Sequence, residues 1–141
     1  RRLVYDMRPP ALDELGLVPA LRQQVASVRN AVGQPMQVIV DAPDLAPLPA
    51  AVEVAAYRIA TEAVSNAARH SGTDRAWVHL DLDLDGDVLE VQVRDAGCVE
   101  GDWVPGVGLS SMRERAAEVG GTLQVINGAK GTTVHAELPL G

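Results

Sequence analysis

The sequence predicts a two-layer α+β sandwich, and three observations predict it. Three segments carry helical periodicity, about five carry strand patterns, and most of the strands arrive as hairpins rather than as βαβ repeats. At 141 residues the chain fits one domain, long enough to bury a core and too short for two full ones.

The elements follow in order. Residues 1–18 contain Arg8-Pro9-Pro10-Ala11-Leu12-Asp13-Glu14-Leu15-Gly16-Leu17, where two prolines stop an incoming helix and Gly16 breaks the next turn, so this stretch reads as a connector to a domain over 19–141. From Pro19 to about Val32, Leu21, Val25, Val28 and Val32 recur at spacings of four, three and four, which predicts an amphipathic helix ending at Gly33. Met36 to Val40 reads as a short strand, followed by a proline-rich link from Asp41 to Pro49. Ala50 to Ser71 lacks Gly and Pro and is rich in Ala, which predicts the longest helix, stopped at Ser71-Gly72. Arg75 to Leu84 alternates, with Val78, Leu80, Leu82 and Leu84 on one side and Trp77, His79, Asp81 and Asp83 on the other. Asp85-Gly86 then signals a hairpin into Val88 to Arg94, whose Leu89, Val91 and Val93 share a face. A Gly-rich passage leads to a helix over Leu109 to Val119, with Ser111-x-x-Glu114 as a capping box and Gly120-Gly121 as its stop. Thr122 to Ile126 and Thr132 to Leu138 form a second hairpin around Asn127-Gly128.

Composition narrows the function. A formal net charge of −7 speaks against an extended nucleic-acid groove, which needs clustered Lys and Arg, so an anionic ligand would require a local device. No apolar run approaches the roughly 20 residues of a membrane span. A first residue of Arg and the lack of a signal-like segment predict a piece of a longer protein. Cys98 is the single cysteine, which rules out a disulfide framework or a Cys-based metal site and fits a reducing compartment.

Several constellations bear on chemistry. Glu62, Asn66 and the Arg69/His70 pair stand four, then three or four, residues apart, so they rise from one face of the long helix among small Ala63, Ala67 and Ala68. Taken alone, that stripe fits an ordinary surface face as well as a binding face. Arg94-Asp95-Ala96-Gly97 places a carboxylate and a glycine at a strand end, which is also ordinary turn composition. Gly106-Val107-Gly108-Leu109 sets two glycines directly before a helix, where backbone amides and the helix N-terminus can face an anion. A dinucleotide fingerprint is excluded, because Ser111 stands where its last glycine belongs and no strand leads in. Gly128-Ala129-Lys130-Gly131-Thr132 has the wrong spacing for a phosphate loop and lies between strands. His79 and His135 fall on outward strand positions and read as solvated; only His70 has candidate neighbours. No structural-metal spacing and no Gly-x-Ser-x-Gly elbow occur.

In order, Tyr57-Arg58-Ile59-Ala60-Thr61-Glu62-Ala63-Val64-Ser65-Asn66-Ala67-Ala68-Arg69-His70-Ser71, Asp95-x-Gly97, Gly106-x-Gly108-Leu109 and Gly131-Thr132 resemble the N, G1, G2 and terminal boxes of sensor histidine kinases, with their gyrase-like (GHKL, or Bergerat) ATP-binding fold. The connector, and Gly108-Leu109-x-x-Met112-Arg113-Glu114-Arg115-Ala116, are similar to the subfamily that includes nitrate sensors and pairs with NarL-type regulators. The resemblance covers nearly the whole chain. It implies an about five-stranded mixed sheet covered on one face by three helices, and it implies ATP and Mg²⁺ as ligands.

Residue by residue, the resemblance gives Asn66 to Mg²⁺, Asp95 to the adenine amino group with Thr132 in support, and Gly97 to the face of the base. Gly106, Gly108 and Leu109 would flank the phosphates, Arg69 and His70 would offset their charge, and Glu62 would order the metal's shell or act as a base. Two departures stand out: Cys98 and Val99 follow Gly97 where a second glycine is usual, and the lid from Cys98 to Pro105 is short, with Trp103 as a cover or a packing anchor. The acceptor histidine would lie upstream of Arg1, on dimerisation helices of a full-length homodimer, with a NarL-type response regulator as partner. The implied location is cytoplasmic, without nucleic acid or direct membrane contact, in a parent that can itself be membrane-anchored. A GHKL ATPase, an anti-sigma-type serine kinase and a nucleotide-sensing module without turnover share the same boxes and stay open on these residues.

Overall fold

A computed structural model describes residues 8–70, 74–96, 107–128 and 131–141. Four α-helices and five strands occur among them, in the order α1 (Pro10–Leu15), α2 (Leu17–Val25), β1 (Gln37–Asp41), α3 (Ala50–His70), β2 (Arg75–Leu82), β3 (Val88–Asp95), α4 (Val107–Glu118), β4 (Thr122–Gly128) and β5 (Gly131–Pro139). The strands form one mixed sheet in the order β1-β2-β3-β5-β4. β1 pairs parallel with β2 across the α3 crossover, and the other neighbours pair antiparallel. The expected α+β two-layer arrangement with helices on one face is what the chain adopts.

Five local expectations give way to the structure. The connector is partly helical: Pro10 occupies the first turn of α1, where a missing N–H costs nothing, and Leu12 and Leu17 are buried in the core. Gly16, at φ 85°, ends α1 and leads directly into α2. The helix expected over 19–32 stops at Val25, because Asn30 organises a turn instead. Its Oδ1 accepts from the amides of Val32 and Gln34, Gly33 adopts φ 84°, and Arg29 bridges to Pro35. Val32 is consequently 77% exposed, although it fitted the helical period. Leu84 lies beyond β2 and is fully exposed, since the Asp83 carboxylate accepts from the amides of Asp87 and Val88 and closes the hairpin early. At the other hairpin the strands run on through Asn127 to a Gly128–Gly131 pair, so Asn127 and Gly128, expected at the turn, belong to β4.

The helix α4 begins at Val107, which leaves Ser111 inside the helix rather than at its cap. Its C-terminus is as expected: Gly120, at φ 78°, donates to Ala117 and Gly121 donates to Ala116, the paired bonds of a Schellman stop. One face of the sheet supplies Val78, Leu80, Leu89, Val91, Val93, Ala136 and Leu138 to the core, against Ile59, Val64, Leu109 and Met112 of α3 and α4. With no Phe in the chain, these aliphatic side chains carry the burial, each contributing roughly 1.5–3 kcal/mol. Ala56, Ala60 and Ala63 keep α3 close to its neighbours. On the opposite face His79 and His135 do point outward, but each meets a carboxylate rather than water alone: His79 Nδ1 lies 3.2 Å from Asp41 and His135 Nε2 3.3 Å from Glu90. Arg94 stacks over Trp77 on that same face, 4.8 Å from the ring centre.

Candidate functional site

The α3 stripe is bonded to itself. Arg69 donates to Ser65 Oγ at 2.6 Å and to Asn66 Oδ1, and its Nη2 lies 3.4 Å from Glu62 Oε2. These partners stand four, three and seven residues back, the spacings that a helix places on one side. The guanidinium is about half exposed, so the cluster opens to solvent. The Asn66 amide oxygen is therefore already aimed at a positive group. Ser65 was not among the expected site residues, although its position one turn before Arg69 signals the contact.

Asp95, the last residue of β3, is the one buried charged side chain among the described residues, 6% exposed. Its Oδ1 accepts from the Thr132 amide at 3.2 Å. Gly131 makes that approach possible: a Cβ there would lie 1.9 Å from the Asp95 carbonyl oxygen, and its φ of 138° already disfavours any side chain. The need for glycine at 131 is a steric one that the sequence expressed only as Gly-Thr after a turn.

Stripe and carboxylate lie toward one end of the β2–β3 pair. Ala68 of α3 packs with Ala76 of β2, and Ala76 is the cross-strand partner of Asp95. The C-terminal end of α4 is fixed by Gly121, where an added Cβ would stand 2.2 Å from the Glu137 carbonyl oxygen. Gly108 lies in the first turn of α4. Leu109 beside it is 2% exposed and belongs to the core, so only its backbone is available to a ligand. Gly97, Cys98, Val99, Trp103 and Gly106 lie outside the described residues, as does the side chain of His70.

Hard oxygens and an arginine on a helix face, with a buried carboxylate at a strand end nearby, are groups of the kind that a nucleotide can engage. No family model matches the chain. Sensor histidine kinase NarS of Mycobacterium tuberculosis is 31% identical over 146 residues, covering 99% of this chain and 33% of that protein. Sensor protein VraS of Staphylococcus haemolyticus is 32% identical over 142 residues, covering 99% of this chain and 40% of its own. The histidine kinase domain of the Erythrobacter litoralis EL346 blue-light activated histidine kinase superposes with a TM-score of 0.67 at 26% identity, covering 88% of this chain and 61% of that one.

Over its whole length the chain is similar to one region of sensor histidine kinases.

It has the α+β fold of a histidine kinase (GHKL) domain, and it spans a third to two fifths of the length of these two curated relatives. No described helix of the chain is long and apolar enough to cross a membrane. Among the described residues no group of three or more His, Cys, Asp or Glu side chains could hold a metal. The donor set fits a cation of another kind of site: one amide oxygen, Asn66 Oδ1, and the Glu62 carboxylate, hard oxygens that now face the Arg69 guanidinium.

Proposed function

We propose that this chain is the ATP-binding catalytic domain of a sensor histidine kinase, that it binds ATP with Mg²⁺ through residues of α3, β3, β5 and α4, and that it donates the γ-phosphoryl group to a histidine on a dimerisation segment outside residues 1–141. Residues 1–18 are then the connector from that segment, and 19–141 the ATP-binding unit. In the transfer, the bond from the γ-phosphorus to the β–γ bridging oxygen breaks, a P–N bond forms on the acceptor imidazole, and ADP leaves. A response regulator aspartate, of the NarL type, receives the group next. The setting is cytoplasmic, within a homodimer.

The observation that carries this reading is Asp95. A buried carboxylate bonded to a backbone amide is a fixed acceptor, suited to an exocyclic amino group such as that of adenine. Thr132 would support it, and the family resemblance assigns Gly97 to the face of the base. Asn66 would hold Mg²⁺, which supplies charge neutralisation across the β- and γ-phosphate oxygens. Arg69, which among the described residues bonds to Ser65, Asn66 and Glu62 of its own helix, would turn to phosphate, and His70, Gly106, Gly108 and the Leu109 backbone would serve the same group. Glu62 sits one turn from Asn66 to order the metal's waters or accept the acceptor imidazole's proton. Most of the rate would come from positioning and charge rather than covalent chemistry.

Calorimetric titration with ATP and with GTP, with and without Mg²⁺, tests the assignment. Wild-type protein should prefer ATP and need Mg²⁺, and Asn66→Ala should lose the metal dependence while keeping its thermal transition. Binding that is unchanged in Asn66→Ala, or absent from wild type at millimolar ATP, refutes it.

A further inference from the structure

Arg8 stands where the chain enters the described unit, and its guanidinium is bound at three points. Nε donates to Asp13 Oδ1 of α1 at 2.6 Å, Nη2 to Glu53 Oε1 of α3 at 2.7 Å, and Nη1 to the Ala50 carbonyl at 3.3 Å. The Glu53 contact is the drier one: the Arg8 and Glu53 side chains are 29% and 19% exposed, whereas Asp13 is 66% exposed. The hydrogen bonds that Arg8 donates, to Glu53 first and then to Asp13, raise its pKa above the ordinary value. A planar fork held by two acids and a carbonyl fixes direction as well as distance.

On one side of this clasp, Pro9 and Pro10 restrict the backbone toward α1. On the other is the first turn of α3, the helix that carries Asn66 thirteen residues later, about 20 Å along its axis. With neither Gly nor Pro and a largely buried face, α3 transmits the placement of one end to the other as a rigid rod. The clasp therefore joins the incoming chain to the same helix that holds the phosphate end of the site, without approaching the nucleotide.

We infer that Arg8, acting through Glu53, is a positioning residue that sets the direction in which the preceding segment leaves the ATP-binding domain, and thereby the reach from bound ATP to the acceptor histidine. This rests on the kinase reading above. An exposed ion pair of purely local value would join neighbours in sequence; here the partners are 45 residues apart, on the connector and on the site helix.

The test uses the full-length kinase with Arg8→Ala, Arg8→Lys, Glu53→Ala, Glu53→Gln and the Arg8→Ala/Glu53→Ala double variant. Three quantities are measured: affinity for Mg·ATP, autophosphorylation rate at saturating ATP, and melting temperature. Both alanine variants should keep Mg·ATP affinity within about twofold and lose about tenfold or more in rate, the scale expected when reacting groups are misplaced by a fraction of an ångström to an ångström. The double variant should be no slower than the slower single one, and Arg8→Lys, which keeps the charge but not the fork, should fall between. If the alanine variants do not fold, Arg8→Lys and Glu53→Gln carry the same comparison. An unchanged rate, or a rate loss matched by lost affinity, overturns the inference alone. Failure of the unsubstituted protein to bind ATP overturns the kinase reading together with it.

Discussion

The two ends of α3 both use an arginine, and they use it differently. At the start of the helix, Arg8 joins acids from two separate elements, and its Glu53 partner is partly desolvated. At the other end, among the described residues, Arg69 bonds to Ser65, Asn66 and Glu62 of its own helix and is half exposed. The first arrangement cannot be undone without loosening tertiary structure. The second costs little to open, because water replaces each bond as it breaks. A fold holding both kinds of contact on one rigid helix separates a fixed end from an end free to exchange partners with a ligand.

Substitutions can break or sharpen that contrast. The largest effect is expected at the ligand site itself. Gly131→Ala would drive a Cβ into the Asp95 carbonyl, so stability should fall by about 3 kcal/mol, or roughly 10 °C in Tm, with nucleotide affinity lost in parallel. A melt within 2 °C of wild type, read against that expectation, would remove Gly131 as the reason the hairpin closes on Asp95. Next comes Asp95→Ala, which leaves the Thr132 amide without this acceptor; discrimination of ATP from GTP should shrink by about 1–3 kcal/mol, read by paired titrations. Retained discrimination would shift the adenine contact elsewhere. Arg8→Ala should cost about 1 kcal/mol of stability in denaturant melts, with a loss that shrinks in high salt only partly, since the Glu53 pair is sheltered. Arg69→Ala is the smallest for stability, under about 0.5 kcal/mol, yet it should weaken ATP binding severalfold. Were Arg69→Ala to destabilise the fold more than Arg8→Ala, the proposed division between fixed and exchangeable ends would be wrong.

Sequence spacing reveals contacts within one element and hides those between distant ones. The α3 stripe was legible because its members stand three, four and seven residues apart, and a helix converts that spacing into proximity. The alternation of Val78 with Leu80 and of Leu89 with Val91 likewise maps directly onto burial. Val28 and Val32 kept the helical period past the point where Asn30 takes the backbone into a turn, because a side chain competing for amides leaves no mark on periodicity. The prolines at 9 and 10 read as a stop, whereas Pro10 starts a helix. Asp95 could be placed at a strand end, but its burial depends on Gly131, 36 positions away. The Arg8–Glu53 pair is hidden for the same reason.

The parallel pairing of β1 with β2 has a consequence for the order in which the molecule assembles. Leu82 and Leu89 pair across seven residues of chain, whereas Gln37 and Arg75 pair across thirty-eight, with α3 as the intervening segment. Closing the longer loop costs more entropy, so the β2–β3 hairpin should form first and β1 should dock late. The helix bearing Asn66 lies within that late-closing crossover, so nucleotide competence should be one of the last properties a newly made chain acquires. Pulse-labelled hydrogen exchange would show it as protection of Val78 and Val91 ahead of Val40; simultaneous protection would mean that the crossover and the hairpin close as one unit.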